Sequence, residues 1–181
     1  MRRVNVAPPD KPCKHREALV VDQPDGLAVV GKLFERIVGS PQQVLALQTA
    51  QAGEFMAQMR VLAMRGGASI YGWEPDTGLV SLRESGLHVP GSRRMTDALR
   101  YVMQSMHFGV YLFTGFEDHL KAVDTLLLRR MSRLPAHEQR KLVFVGPRLE
   151  LPEELDGLYE RLDGSGAARP RLRLRDGRWV A

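Results

Sequence analysis

The sequence predicts a three-layer α/β domain, in which helices cover both faces of a mainly parallel sheet. Short apolar runs of strand length alternate along the chain with longer segments whose apolar residues recur at helical spacing. The apolar runs show little alternation with polar residues, as expected for parallel strands that are buried on both faces. The chain of 181 residues is also long enough for one domain with a substantial core.

Four segments are predicted to be strands of the sheet, because each is a short run of mainly apolar and aromatic residues. They are residues 43–47, 68–73, 110–113 and 141–145. Residues 74–78 have the composition of a turn, and residues 81–92 have no regular pattern. A further short edge strand is predicted at residues 18–21.

Helices are predicted between these strands. They span residues 26–38, 50–65, 96–106, 116–134 and 151–162. Asp25 and Thr96 are expected to act as N-caps, Gly67 and Pro135 to end helices, and Pro152 to lie in a first turn. Strands that alternate with helices imply right-handed crossovers and therefore parallel strand pairing.

Composition divides the chain into three parts. Residues 1–24 are rich in proline and charge and are predicted to be an extended leader. Residues 25–163 form the predicted domain. Residues 164–181 form a basic tail in which Leu172 and Leu174 alternate with arginines before Asp176 and Gly177, a pattern typical of a β-hairpin.

Charge and composition exclude several classes of protein. Hydrophobic residues make up 44% of the chain and the formal net charge is +5, with no apolar run near the roughly 20 residues that span a bilayer. We see no signal peptide and expect a cytoplasmic protein. Cys13 is the single cysteine, so no internal disulfide is expected. With His15 it supplies only two of the four ligands of a structural zinc site.

The order of the motifs resembles the N-terminal region of AAA-family ATPases of the chloroplast-frame type. The resemblance covers residues 27–160 and is most specific at 149–155, Leu-Glu-Leu-Pro-Glu-Glu-Leu. It implies a degenerate P-loop NTPase-like domain, which the hydrolytic AAA module follows in those relatives. Few residues follow position 160 here, so we expect that ATPase module to be absent: either its activity resides in a separate protein, or the domain has been reused alone.

The residues that bind the phosphates of a nucleotide are missing from the expected positions. A phosphate-binding loop needs glycines, a lysine and a Ser or Thr, but residues 48–54 contain one glycine, no lysine, and Glu54. Glu117 and Asp118 follow the third strand too late to be the acid that holds Mg²⁺, and we expect them to begin the next helix. No cofactor, no metal and no catalytic residue is therefore predicted.

Two surfaces are candidates for contact with a partner. Trp73 and Asp76 lie at the carboxyl end of a predicted strand, where open α/β sheets bind ligands. Arg83, Arg93 and Arg94, with His88, flank the irregular segment and are expected at the same edge. A capped turn and a solvated loop are the alternative explanations. The tail adds a second candidate set: Arg171, Arg173, Arg175 and Trp179.

These observations predict a non-catalytic P-loop-like adaptor or accessory subunit that acts by protein–protein contact in a larger assembly. A separate AAA ATPase is one candidate partner, and a second copy of the chain is another. The alternative is a nucleic-acid-binding module that uses the basic tail, for which affinity would fall steeply with salt. A cryptic enzyme is the third hypothesis.

Overall fold

The computed structural model describes residues 26–134 and 140–163. The predicted leader, Asp25, Pro135 and the predicted tail hairpin lie outside these ranges. Six strands form one sheet: β1 Val44–Gln48, β2 Ile70–Glu74, β3 Gly78–Ser81, β4 Gly109–Thr114, β5 Arg140–Gly146 and β6 Glu160–Asp163. Their order is β3-β2-β4-β5-β1-β6. All neighbours pair in parallel except β2 and β3, so the predicted α/β fold with a mainly parallel sheet is confirmed.

Four α-helices pack on the sheet: α1 Gly26–Gly39, α2 Ala52–Gly66, α3 Met95–Gln104 and α4 Ala122–Ser132. Helices α1 and α2 bury one face of the sheet, and α3 and α4 bury the other. The apolar spacing explains this arrangement, since Phe55, Met59 and Ala63 recur at intervals of four residues along the buried side of α2. Gly67 ends α2 as predicted: at φ 67° it adopts the left-handed conformation and donates its N–H to Ala63 O at 3.1 Å.

The core on the α3 and α4 side is largely aromatic. Trp73 stacks on Phe113 with ring centroids 5.1 Å apart, and Phe116 lies 4.6 Å from the ring of Phe144. All four side chains are fully buried. Rings of this size supply much of the apolar area that stabilises a domain of this length. Within the described ranges, no helix is both long and apolar enough to cross a bilayer.

The predicted helix over residues 151–162 is wrong. The structure has one 3-10 turn at Glu153–Leu155, then Gly157 at φ 76°, and then strand β6. The leucines of this segment imitate a helical repeat, but Leu155 packs with α3 and α4 while Leu162 packs on the opposite face of the sheet. The apolar residues therefore belong to two cores, which a single helix could not reach.

The predicted helix over residues 116–134 begins too early. Phe116 is buried and precedes a 3-10 turn at Glu117–His119. Lys121 is then extended, and its N–H donates to Asp124 Oδ2 at 2.9 Å. This side chain-to-backbone bond fixes the start of α4 at Ala122. Glu117 and Asp118 consequently lie before the helix and not in its first turn.

Thr96 is not a helix N-cap. Helix α3 begins at Met95, and its N-cap position is Arg94, which makes no side-chain capping bond. The Thr96 hydroxyl instead donates to Asp124 Oδ1 at 2.5 Å and so joins α3 to α4. The prediction also missed β3, which turns the segment after β2 into an antiparallel hairpin.

Candidate functional site

The turn between β1 and α2 occupies the place of a phosphate-binding loop in this fold. Only three residues, 49–51, separate the strand from the helix, whereas a phosphate-binding loop carries glycines and a lysine over about eight residues. Thr49 donates its N–H to Gly146 O at 2.9 Å, and the N–H of Gln51 donates to Thr49 Oγ1 at 3.2 Å. Two of the three N–H groups of the turn are therefore already paired within the protein.

The electrostatics of the turn also disfavour a phosphate. Residues 48–54 contain no lysine or arginine. Glu54 lies in the first turn of α2 and accepts a hydrogen bond from Gln58 Nε2 at 3.0 Å. A carboxylate at that place offsets the attraction of the helix N-terminus for an anion.

The carboxyl ends of β4 and β5 carry few acids. Thr114 ends β4 and donates its hydroxyl to Trp73 O at 3.3 Å. The Glu117 carboxylate lies against the end of β5, since a Cβ built on Gly146 would be 2.8 Å from its Oε1. Across residues 26–134 and 140–163, no group of three His, Cys, Asp or Glu side chains could hold a metal ion.

A cleft of about 530 Å³ lies between α2 and the β2–β3 hairpin. Apolar or small residues form most of its wall: Ala52, Gly53, Met56, Ala57, Gly72, Val80 and Leu82. Four polar side chains complete it: Arg60, Glu74, Thr77 and Thr114. Its wall combines residues of α2, the β2–β3 hairpin and the end of β4, so no local sequence pattern indicates this cleft.

Ser92 fastens the following loop to the β2–β3 hairpin. The buried Trp73 donates its Nε1–H to Ser92 O at 2.8 Å. Ser92 Oγ accepts the N–H of Leu79 at 2.8 Å and donates to Val89 O at 2.6 Å. Gly78 is required at the turn, since its φ is 75° and a Cβ there would lie 2.7 Å from Ser92 Oγ. The hairpin and the loop therefore form one rigid unit.

The residues predicted to contact a partner do not form one surface. Trp73 is fully buried, so it can position the loop but cannot itself touch a partner. Asp76, Arg93 and Arg94 are exposed, and Arg93 lies beside the hairpin turn, because its N is 3.0 Å from a Cβ built on Gly78. We call the surface formed by Asp76, Arg93 and Arg94 with the turn at 74–78 the hairpin-tip surface.

Arg83 does not share an edge with the hairpin-tip surface. It donates to Gly67 O at 3.1 Å and pairs with Glu84 at 2.8 Å. Gly67 precedes β2, and β3 runs antiparallel to β2, so Arg83 lies at the amino end of β2. The antiparallel strand that the prediction missed is the physical reason for this separation. Among the described residues, no carboxylate forms a salt bridge with Arg93 or Arg94. Arg171, Arg173, Arg175 and Trp179 lie outside the described ranges.

The buried cation Lys141 lies away from these surfaces. Burial lowers the pKa of its ammonium group below the ordinary value of 10.5, and the charge of Glu160 opposes this shift. Lys141 Nζ donates to Ser40 O at 2.5 Å and to Gln42 O at 3.0 Å. These bonds hold the segment that leads into β1, so we assign Lys141 a structural role.

A comparison with protein families defines the class of this domain. The family model described as "SpoVK-like AAA ATPase, N-terminal domain" matches residues 31–163. The match begins within α1, ends with β6 and covers more than half of the chain. The chain therefore belongs to the N-terminal domain family of SpoVK-like AAA ATPases. No curated protein matches the chain.

Proposed function

We propose that this chain is a degenerate P-loop-like domain that does not hydrolyse nucleotides and acts as an accessory interaction module of an AAA ATPase assembly. The observation that carries the proposal is the three-residue turn between β1 and α2. It contains no lysine, and its N–H groups at Thr49 and Gln51 bond within the protein. A triphosphate needs several free N–H groups and a cation at this place.

The hairpin-tip surface is the place where we expect a protein partner to bind. Asp76 and the two arginines are exposed, while the Ser92 bonds hold the backbone beneath them. Thr77 belongs both to the hairpin turn and to the wall of the cleft, so the charged surface is continuous with an apolar recess. Charged residues around an apolar recess on a rigid support are the usual composition of a protein interface.

The finer parts of this proposal rest on the sequence. The resemblance at residues 149–155 supports a relation to the chloroplast-frame type of AAA protein. Action in the cytoplasm completes the proposed setting. Family membership supports a role beside an AAA module, since the matched model describes a domain of such an ATPase.

The first test measures binding and hydrolysis of Mg·ATP by the full chain. We expect no binding heat in calorimetry at millimolar nucleotide and no phosphate release above a protein-free blank. The matched variants are Glu117→Gln and Asp118→Asn, which remove the two acids of the 3-10 turn that follows β4. Hydrolysis by the parent chain that either variant abolishes would overturn the proposal.

The second test measures binding of the full chain to a purified AAA module of a SpoVK-like ATPase. Reversing both charges in R93E/R94E should weaken this binding by about tenfold, as expected for charged contacts at an interface. The matched control K32E/R36E makes the same charge change on exposed positions of α1 and should bind as the parent does. Equal binding by all three proteins would exclude the hairpin-tip surface.

A further inference from the structure

The two edges of the sheet differ in their surroundings. At the β3 edge, Val89 donates its N–H to Leu79 O at 2.8 Å, so the segment 87–89 covers that edge. Strand β6 forms the other edge, and β1 is its only strand partner within the described part of the chain. A strand edge of this kind presents N–H and C=O groups that favour pairing with a further strand.

Strand β6 has an apolar face and a charged face. Leu162 is buried in the core beneath α1 and α2. Glu160 lies on the same side, where it accepts a hydrogen bond from Ser40 Oγ at 2.5 Å. Because side chains alternate along a strand, Arg161 and Asp163 lie together on the opposite side of the sheet, where both are exposed. The exposed face of β6 therefore carries one positive and one negative charge.

These two charges have no ion pair within the described residues. No carboxylate there forms a salt bridge with Arg161, and no cation forms one with Asp163. The guanidinium of Arg161 is restrained by Tyr159, whose hydroxyl accepts hydrogen bonds from its Nε at 3.1 Å and its Nη2 at 2.6 Å. Both charges therefore remain available to side chains of a strand that pairs with β6.

The geometry of antiparallel pairing selects the register between two copies of β6. A two-fold axis perpendicular to the sheet makes the two strands antiparallel and keeps like faces on the same side, and the residue on the axis is opposite its own copy. With Leu162 on the axis, Arg161 of each copy is opposite Asp163 of the other. An axis at Arg161 or at Asp163 places like charges opposite each other, which is destabilising.

We propose that β6 is a self-association strand, and that two copies of the chain pair their β6 strands antiparallel about Leu162. Self-complementarity favours a second copy over an unrelated strand, since one segment supplies an apolar contact on the axis and an ion pair on each side of it. The β2–β3 hairpin lies at the opposite edge of the sheet. The pair therefore leaves both hairpin-tip surfaces accessible, and the inference does not depend on the proposed ATPase partner.

The experiment is sedimentation equilibrium of the full chain, from micromolar to millimolar concentration. Arg161→Asp and Asp163→Arg each place like charges opposite each other on both sides of the axis. Each variant should therefore weaken dimerisation by at least about tenfold. The exchange variant R161D/D163R restores opposite charges and should return the dissociation constant to within about threefold of the parent. The matched control Arg65→Asp makes the same charge change on an exposed position of α2 and should dimerise as the parent does.

Hydrogen–deuterium exchange of the β6 amides that point away from β1 identifies the interface. Their protection should rise with protein concentration in the parent and not in Arg161→Asp, while circular dichroism checks that every variant is folded. A parent chain that stays monomeric at millimolar concentration would refute the proposal. Single variants that dimerise as the parent does, or an exchange variant that stays as weak as the single ones, would refute the register. Protection that is independent of concentration would show that the chain itself covers this edge.

Discussion

Replacing Ser92 by alanine tests whether the hairpin and its loop are one unit. Ser92 is 2% exposed, and its hydroxyl accepts the N–H of Leu79 and donates to Val89 O. Alanine leaves the buried Leu79 N–H without an acceptor, which costs about 1–3 kcal/mol, and the lost bond to Val89 adds about 1 kcal/mol. We therefore expect Ser92→Ala to lower the free energy of unfolding by about 2–4 kcal/mol.

Thermal and urea denaturation, followed by circular dichroism, measure this change. A loss of that size corresponds to a decrease of about 4–16 °C in Tm for a chain of this length. The control is Ser85→Ala, because Ser85 is exposed and its side chain makes no described hydrogen bond. If Ser92→Ala were within about 0.5 kcal/mol of this control, the hydroxyl would not hold the loop and the rigid hairpin-tip surface would lose its support.

Three further predictions concern stability. A double-mutant cycle of Thr96→Val and Asp124→Ala should give a coupling of about 1–3 kcal/mol in urea unfolding; additive losses would show that the bond between α3 and α4 contributes nothing. Gly78→Ala should be at least about 1 kcal/mol more destabilising than Gly86→Ala. Both glycines have positive φ, but only the first Cβ meets other atoms, so equal melting temperatures would contradict the close contact. Burial lowers the pKa of Lys141 in the folded chain, so the unfolded chain binds more protons in the interval below pH 10.5. The stability of the parent relative to Lys141→Met should therefore rise as pH rises through that interval, and a flat difference would contradict the shift.

The sequence predicted the central strands because their signals are local. The residues of β1, β4 and β5 are almost all buried, and such continuous apolar runs do not depend on distant partners for their identification. The role of Gly67 in ending α2 could also be predicted, since the left-handed position after a helix favours glycine. The missing lysine between β1 and α2 is visible in the sequence too, but the length of the turn is not.

Other features depend on contacts between distant residues. Leu155 and Leu162 have a spacing that suits a helix, and only the position of the two cores shows that they belong to opposite faces of the sheet. Thr96 resembles an N-cap by composition, but its partner is Asp124, 28 residues away. The bond from Trp73 to Ser92 spans 19 residues. Nucleic-acid binding by the tail stays a prediction.

The covered edge at β3 also limits how copies of this domain can associate. Because residues 87–89 occupy the outer side of β3, β6 is the one uncovered sheet edge among residues 26–134 and 140–163. In a pair joined through β6, each molecule would leave only its covered β3 edge for a third molecule. Sheet-mediated association of the described domain would therefore stop at a two-fold pair and would not grow into a fibre.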